Sequence, residues 1–133
     1  MNINNHITGV QHIGIPTNDI KKTIQFYESL GFEIALETLN KKANEKVAFL
    51  QLGNLVIETY ENKVAVGKVG AIDHIALNVT QIETIFEQIK AAGCYQMLDT
   101  SVQSLPFWEH GVKFFTIVGP NSEKIEFCEK LKA

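Results

Sequence analysis

The sequence predicts an α+β fold built from two βαβββ modules, and three observations carry that expectation. The segment Gly9-Val10-Gln11-His12-Ile13-Gly14-Ile15-Pro16 is echoed 62 residues downstream by Ala71-Ile72-Asp73-His74-Ile75-Ala76-Leu77-Asn78. Each copy runs from an alternating, strand-like stretch into apolar residues at helical spacing. Each then offers three short runs of β-forming residues bounded by turn signals. At 133 residues the chain has the length of one compact domain, which buries roughly two-thirds of its unfolded surface.

The elements follow in order. The first strand is expected over 9–15. Ile20, Ile24 and Tyr27 then fall on one helical stripe, with Thr17 or Asn18 as N-cap and Gly31 as the stop. Strands at about 32–38, 46–52 and 55–61 complete the first module, the last two joined by the tight turn Gly53-Asn54. The second module repeats the plan with a strand over 71–79. Its helix opens on Thr80-Gln81-Ile82-Glu83, which has the form of a capping box, carries the stripe Ile82, Phe86, Ile89, and ends at Gly93. Its further strands fall at about 95–99, 112–118 and 123–129, with Gly119-Pro120-Asn121-Ser122 as a wider turn. The repeat matches Ala48–Gly53 with Phe114–Gly119, and Leu55–Glu61 with Glu123–Glu129, the turn between them being two residues longer in the second copy. The chain reads as one domain, 1–133, with modules 8–61 and 71–130 joined by a linker over 62–70.

Composition narrows the function. With 45% apolar and 20% charged residues the chain is that of an ordinary globular protein. Its formal net charge of -3 leaves no basic stripe to grip a phosphate backbone, which argues against a nucleic-acid partner. All twelve cationic residues are lysine, so no guanidinium is present to hold a carboxylate or phosphate in two-pronged fashion. No stretch is long and apolar enough to span a bilayer, and Met1-Asn2-Ile3-Asn4-Asn5-His6 lacks the basic start and apolar run of a secretory signal; a cytoplasmic location and no membrane partner are expected. Cys94 and Cys128 form no C-x-x-C pair and read as reduced thiols.

Strand parity locates the polar side chains. Ile13 and Ile15, like Ile75, Leu77 and Val79, form faces turned to the helices. His12 with Gly14, and His74 with Ala76 and Asn78, take the opposite face, where small neighbours leave a hollow. On the fourth strands Leu55 and Ile57, then Ile125 and Phe127, are the apolar set, and Glu58 and Glu126 lie opposite. A single strand His is most often a hydrogen-bonded structural group, and a single Glu a solvated one. Two His and two Glu at repeat-equivalent positions make a set of four N and O donors suited to one divalent first-row metal ion, with one or two positions open. Phe49 and Gln51, with their repeat partners Phe115 and Ile117, are expected to line the hollow as substrate-binding wall residues, provided Ala48, Leu50 and Leu52 pack beneath the helices. Trp108, in the loop Ser104-Leu105-Pro106-Phe107-Trp108-Glu109-His110-Gly111, reads as a lid residue or as part of a loop packed on the sheet. His6, Glu61, Glu129 and the Lys41–Lys46 cluster read as solvated.

At these residues the chain resembles the vicinal oxygen chelate superfamily, which includes glyoxalase I, methylmalonyl-CoA epimerase, extradiol dioxygenases and the fosfomycin and bleomycin resistance proteins. The likeness rests on His12-Ile13-Gly14-Ile15, Phe26-Tyr27, Leu30-Gly31-Phe32, Asp73-His74-Ile75-Ala76-Leu77 and Gly119-Pro120-Asn121-Ser122-Glu123-Lys124-Ile125-Glu126-Phe127, and spans about residues 8–130. It implies paired βαβββ modules whose mixed sheet curls around a cavity, often in a homodimer. The donor set His12, Glu58, His74 and Glu126 is similar to that of the glyoxalase I and epimerase branch, whereas the ring-cleaving dioxygenases use two His and one Glu. Val47–Asn54 also resembles the epimerases.

The resemblance implies a metal-dependent, lactoylglutathione lyase-like lyase or isomerase acting on a small oxygenated substrate such as the hemithioacetal of a 2-oxoaldehyde. Glu126 takes the part of the ligand that also serves as base, with Glu58 as its symmetry-related second. Zn, Ni, Co, Mn and Fe all suit the donors. The alternatives are a binding protein that sequesters a drug or metabolite, or an epimerase or dioxygenase of the same superfamily. The absence of Arg departs from the glyoxalase habit of holding glutathione carboxylates with guanidinium.

Overall fold

The computed structural model describes residues 3–133; Met1 and Asn2, at the start of the stretch read above for a secretory signal, lie outside the described residues. The chain divides into two compact units between Val66 and Gly67, within the expected linker.

The first unit holds β1 (Ile13–Thr17), α1 (Ile20–Ser29), β2 (Glu33–Asn40), β3 (Glu45–Leu52) and β4 (Leu55–Glu61). Its sheet runs β1-β4-β3-β2, with β1 parallel to β4 and the other pairs antiparallel. The core forms where the apolar side of this sheet meets α1: Ile20 and Tyr27 pack with Ala48, Leu50 and Ile57, all buried. The helix ends as read, with Gly31 at φ +101° following the cap residue Leu30. Its N-cap is Asp19 and not Thr17 or Asn18; the Asp19 carboxylate accepts from the Lys22 N–H at 3.1 Å. The Thr17 hydroxyl is instead drawn into the core, 2.9 Å from that of Thr23.

The second unit holds β5 (His74–Asn78), α2 (Ile82–Ala92), β6 (Gln96–Met97), β7 (Gln103–Leu105), β8 (Val112–Val118) and β9 (Lys124–Lys130). Its sheet runs β5-β9-β8-β6, with β7 pairing a further stretch of β8. The single edge strand expected at 95–99 is thus two short strands, and Asp99 bridges the break by accepting from the Thr116 N–H at 2.8 Å. Ile82 and Phe86 pack on Phe115, Ile117, Ile125 and Phe127. The expected capping box is not formed: Gln81 takes the left-handed conformation at φ 55° and its side chain caps nothing.

What caps both helices is a pair of carboxylates expected to be solvated. Glu61, at the end of β4, accepts from the Ile20 N–H at 2.9 Å. Glu129, at the repeat-equivalent place on β9, accepts from the N–H groups of Gln81 and Ile82 at 3.3 and 3.1 Å. The first turn of a helix leaves backbone donors without intrahelical partners and carries partial positive charge, so a strand carboxylate serves both needs. These contacts also fix each helix to the strand that bears the candidate ligand.

Candidate metal centre

β1 and β4 lie in parallel register with Gly14 beside Glu58, and β5 and β9 with Ala76 beside Glu126. Within each unit the His and the Glu therefore emerge on the sheet face away from the helix, on neighbouring strands. His12 Nε2 stands 3.3 Å from Glu58 Oε1, and His74 Nε2 stands 3.7 Å from Glu126 Oε2. All four side chains are partly exposed, from 18% for Glu126 to 47% for His74. No group of three or more His, Cys, Asp or Glu suited to a metal gathers among the described residues; within each unit the His and the Glu form a pair.

The chemistry of each pair fits a cation. His12 Nδ1 lies 2.9 Å from the Gln11 amide oxygen, and His74 Nδ1 lies 3.0 Å from Asp73 Oδ2. The Asp73 carboxylate only accepts, so in the neutral His74 ring the proton sits on Nδ1 and the Nε2 lone pair faces Glu126; the Gln11 amide offers its oxygen to His12 but carries an NH2 donor as well. An Nε2 lone pair that close to a carboxylate is repelled unless a proton or another cation sits between them. Donors about 2.1 Å from a shared ion stand about 3.0–3.4 Å apart at octahedral to tetrahedral angles, near the two distances seen. A ligating His with its other ring nitrogen tied to an acceptor is also the usual outer arrangement of a metal site.

The wall residues divide. Phe49 lies opposite Glu58 in register, and its ring meets that of His12 edge-on at 5.6 Å between centroids. Gln51 is exposed on the same face, its amide donating to the Gly53 carbonyl at 3.2 Å. Phe115 and Ile117 are corrections: both are fully buried on the helix side, Phe115 edge-on to Phe86 and stacked on Phe127. Register explains the error. Leu52 pairs with Leu55 across a two-residue turn, but Val118 pairs with Lys124 across five residues, 119–123. The difference of three is odd, so matching the β3 and β8 sequences through their terminal glycines shifts the register by one and reverses the faces. The residue opposite Glu126 is Thr116, the true counterpart of Phe49, flanked on its face by Phe114 and Val118.

Three further side chains beside these pairs escaped the sequence reading. Tyr60 is two residues beyond Glu58, and its ring stands at ordinary van der Waals distance, 3.6 Å, from where a Cβ at Gly14 would be. Cys128 occupies the matching place beyond Glu126; burial, then the Glu126 charge, pushes its thiol above the usual range. Both cysteines are free thiols. Asp73 is the third: its carboxyl is held below the usual range by the hydrogen bond to His74, then by that to Lys124. Counting by twos from Glu58 reaches Tyr60, so that one was within reach of the parity argument. Trp108, at φ +64°, is largely exposed, and Lys130 Nζ lies 4.0 Å over its ring. No helix is long and apolar enough to cross a membrane among the described residues.

Comparison with known proteins gives one answer about family. The family model described as "Glyoxalase/Bleomycin resistance protein/Dioxygenase superfamily" matches residues 9–102. The uncharacterized protein YwbC of Bacillus subtilis is 27% identical over 128 residues, covering 91% of this chain and 97% of that protein. Among solved structures, a glyoxalase family protein from Enterococcus faecalis has a TM-score of 0.76 at 22% identity, over 93% of this chain and 99% of that one. The fosfomycin resistance protein FosX of Listeria monocytogenes, complexed with Mn(II) and sulfate, has a TM-score of 0.68 at 21% identity, over 94% of each chain. A glyoxalase I variant from Zea mays has a TM-score of 0.70 at 19% identity, over 91% of this chain and 44% of that one.

Proposed function

This chain belongs to the Glyoxalase/Bleomycin resistance protein/Dioxygenase superfamily, and from that premise we propose that it is a metal-dependent lyase or isomerase that moves a proton next to a carbonyl of a small oxygenated substrate. The observation that carries the reading is the pair of Nε2-to-carboxylate contacts, one per module, each with Nδ1 already tied to an acceptor. His12 with Glu58 in one module, and His74 with Glu126 in the other, are the residues that would hold a divalent ion. The ion supplies Lewis acidity, stabilising the negative charge that develops on a substrate oxygen as a neighbouring C–H loses its proton.

Glu126 is the base. Its contact with His74 is the longer of the two, and it is the less exposed carboxylate. A carboxylate beside a cation would be a weak base, so the looser contact of Glu126 suits it to accept the proton. The C–H electron pair then spreads into the carbonyl, and Glu126 returns the proton to the adjacent carbon. Glu58 is the symmetry-related second candidate. Phe49 and Gln51 form part of the wall. Trp108 lies against Lys130, four residues beyond Glu126 on the same face of β9 and about 13 Å along the strand from it. The hemithioacetal of a 2-oxoaldehyde fits this chemistry, with a thiol other than glutathione favoured because no Arg is present.

Turnover of methylglyoxal hemithioacetals of several thiols, and deuterium exchange into 2-oxoaldehydes, are to be measured with Ni, Co, Mn or Zn. Activity is expected with at least one metal, and Glu126→Gln should retain the fold while losing about a hundredfold to ten-thousandfold in rate. No turnover with any metal, together with tight binding of aromatic or drug-like ligands, would put the sequestering protein in its place.

The assembly that goes with this reading is a homodimer. β2 is a sheet edge, with Ile34 and Leu39 exposed at 40 and 48% on one face and Leu36 at 52% on the other, and a second copy of the chain would cover that edge. Light scattering should give about twice the 14.9 kDa chain mass; a monomer at all concentrations rejects it.

A further inference from the structure

The two histidines are backed differently. Behind His12 stands the neutral amide of Gln11. Behind His74 stands the Asp73 carboxylate, whose other oxygen accepts from Lys124 Nζ at 3.0 Å. Lys124 pairs with His74 in the β5–β9 register, and one step back from the Ile13–Ile57 pair its counterpart beside His12 is Val56. The carboxylate and the cation that steadies it thus occur together in one module, and both are replaced by uncharged residues in the other.

We infer that Asp73, held by Lys124, is a positioning residue that fixes the His74 ring with Nε2 toward Glu126 and makes it the stronger of the two imidazole donors. The inference rests on the metal reading above. A carboxylate accepting from Nδ1–H raises electron density at Nε2 more than an amide does. The second module also holds the looser glutamate, 3.7 Å from its His against 3.3 Å in the first. A firmly held, electron-rich His74 would bind the ion without depending on Glu126, which leaves that carboxylate free to accept a proton.

Mn(II) titrated calorimetrically into metal-free protein tests this. Asp73→Asn turns the support of His74 into a copy of that of His12, and should weaken Mn(II) binding about tenfold to a hundredfold. Asp73→Glu should recover part of the loss, Gln11→Ala should cost less than Asp73→Asn, and Lys124→Met should add little in the Asp73→Asn background. Side-chain nitrogen NMR of the metal-free protein gives a readout that a merely structural role would not move: His74 should hold its proton on Nδ1 in the wild type and lose that preference in Asp73→Asn, at unchanged thermal midpoint. Wild-type Mn(II) affinity and tautomer in Asp73→Asn, with binding abolished by His74→Ala, overturns this inference alone. No uptake of Mn(II) by the wild type overturns the metal reading and this inference with it.

Discussion

The first module closes its last hairpin with Gly53-Asn54, and the second with the five residues 119–123, where the Gly119 N–H donates to the Glu123 carbonyl and the Glu123 carboxylate accepts from the Asn121 N–H. The first has one continuous edge strand, Glu33–Asn40; in the second Asp99 spans the gap between two short ones. Against those differences, the contact of the opening strand with the closing strand is the same in both: Gly14 beside Glu58, Ala76 beside Glu126, and a strand-end carboxylate on the helix N-terminus. The two candidate donors of each module lie on this shared pair of strands. Hairpins and edges can therefore change length without moving a donor, because parallel register and the helix cap hold the His and the Glu independently of them.

The caps give the larger break in that comparison. α1 has two: the Glu61 carboxylate and the local cap of Asp19. α2 has no side-chain cap of its own and relies on Glu129 for two N–H groups, in a chain that enters the helix through a left-handed Gln81. Glu129→Ala should lower unfolding free energy by about 1–2 kcal/mol, and Glu61→Ala by about 0.5–1 kcal/mol because Asp19 remains. Urea denaturation of the two variants side by side measures the difference. A cost for Glu61→Ala equal to or above that for Glu129→Ala would show that the Asp19 cap gives α1 no reserve.

Much of this was legible in the sequence, for identifiable reasons. The strands at 55–61 and 112–118 lie where alternation and turn residues placed them, and the helices carry Ile20 and Tyr27, then Ile82 and Phe86, on their buried sides. Parity put His12 with Glu58 and His74 with Glu126 on the outer faces because one-residue steps within a strand are unambiguous. It failed for Phe115 and Ile117 because their assignment passed through a turn whose length the repeat had to guess. The caps at Glu61 and Glu129 were illegible for another reason: each joins residues more than forty positions apart, and local patterns such as Thr80-Gln81-Ile82-Glu83 describe only what a helix can do with its own neighbours. Asp73 and Gln11 were in plain view beside the histidines, but an adjacent polar residue has meaning only once the ring's orientation is known.

The smallest expected effect compares the two cores. Thr59 on β4 and Phe127 on β9 hold repeat-equivalent positions, both facing the helix. Phe127 stacks on Phe115, filling its site with apolar surface. Thr59 is fully buried, and its hydroxyl has no hydrogen-bond partner among the described residues. A buried hydroxyl without a partner loses its hydration and gains nothing, whereas valine has nearly the same shape and no polar atom to desolvate. Thr59→Val should therefore stabilise the protein by about 1 kcal/mol, raising the thermal midpoint by about 2–5 °C for a chain of this size. Calorimetric scans of wild type and variant read this directly. A lower midpoint would mean that a buried water satisfies the hydroxyl, and the first module's core would then be as complete in its polar pairing as the second's is in its stacking.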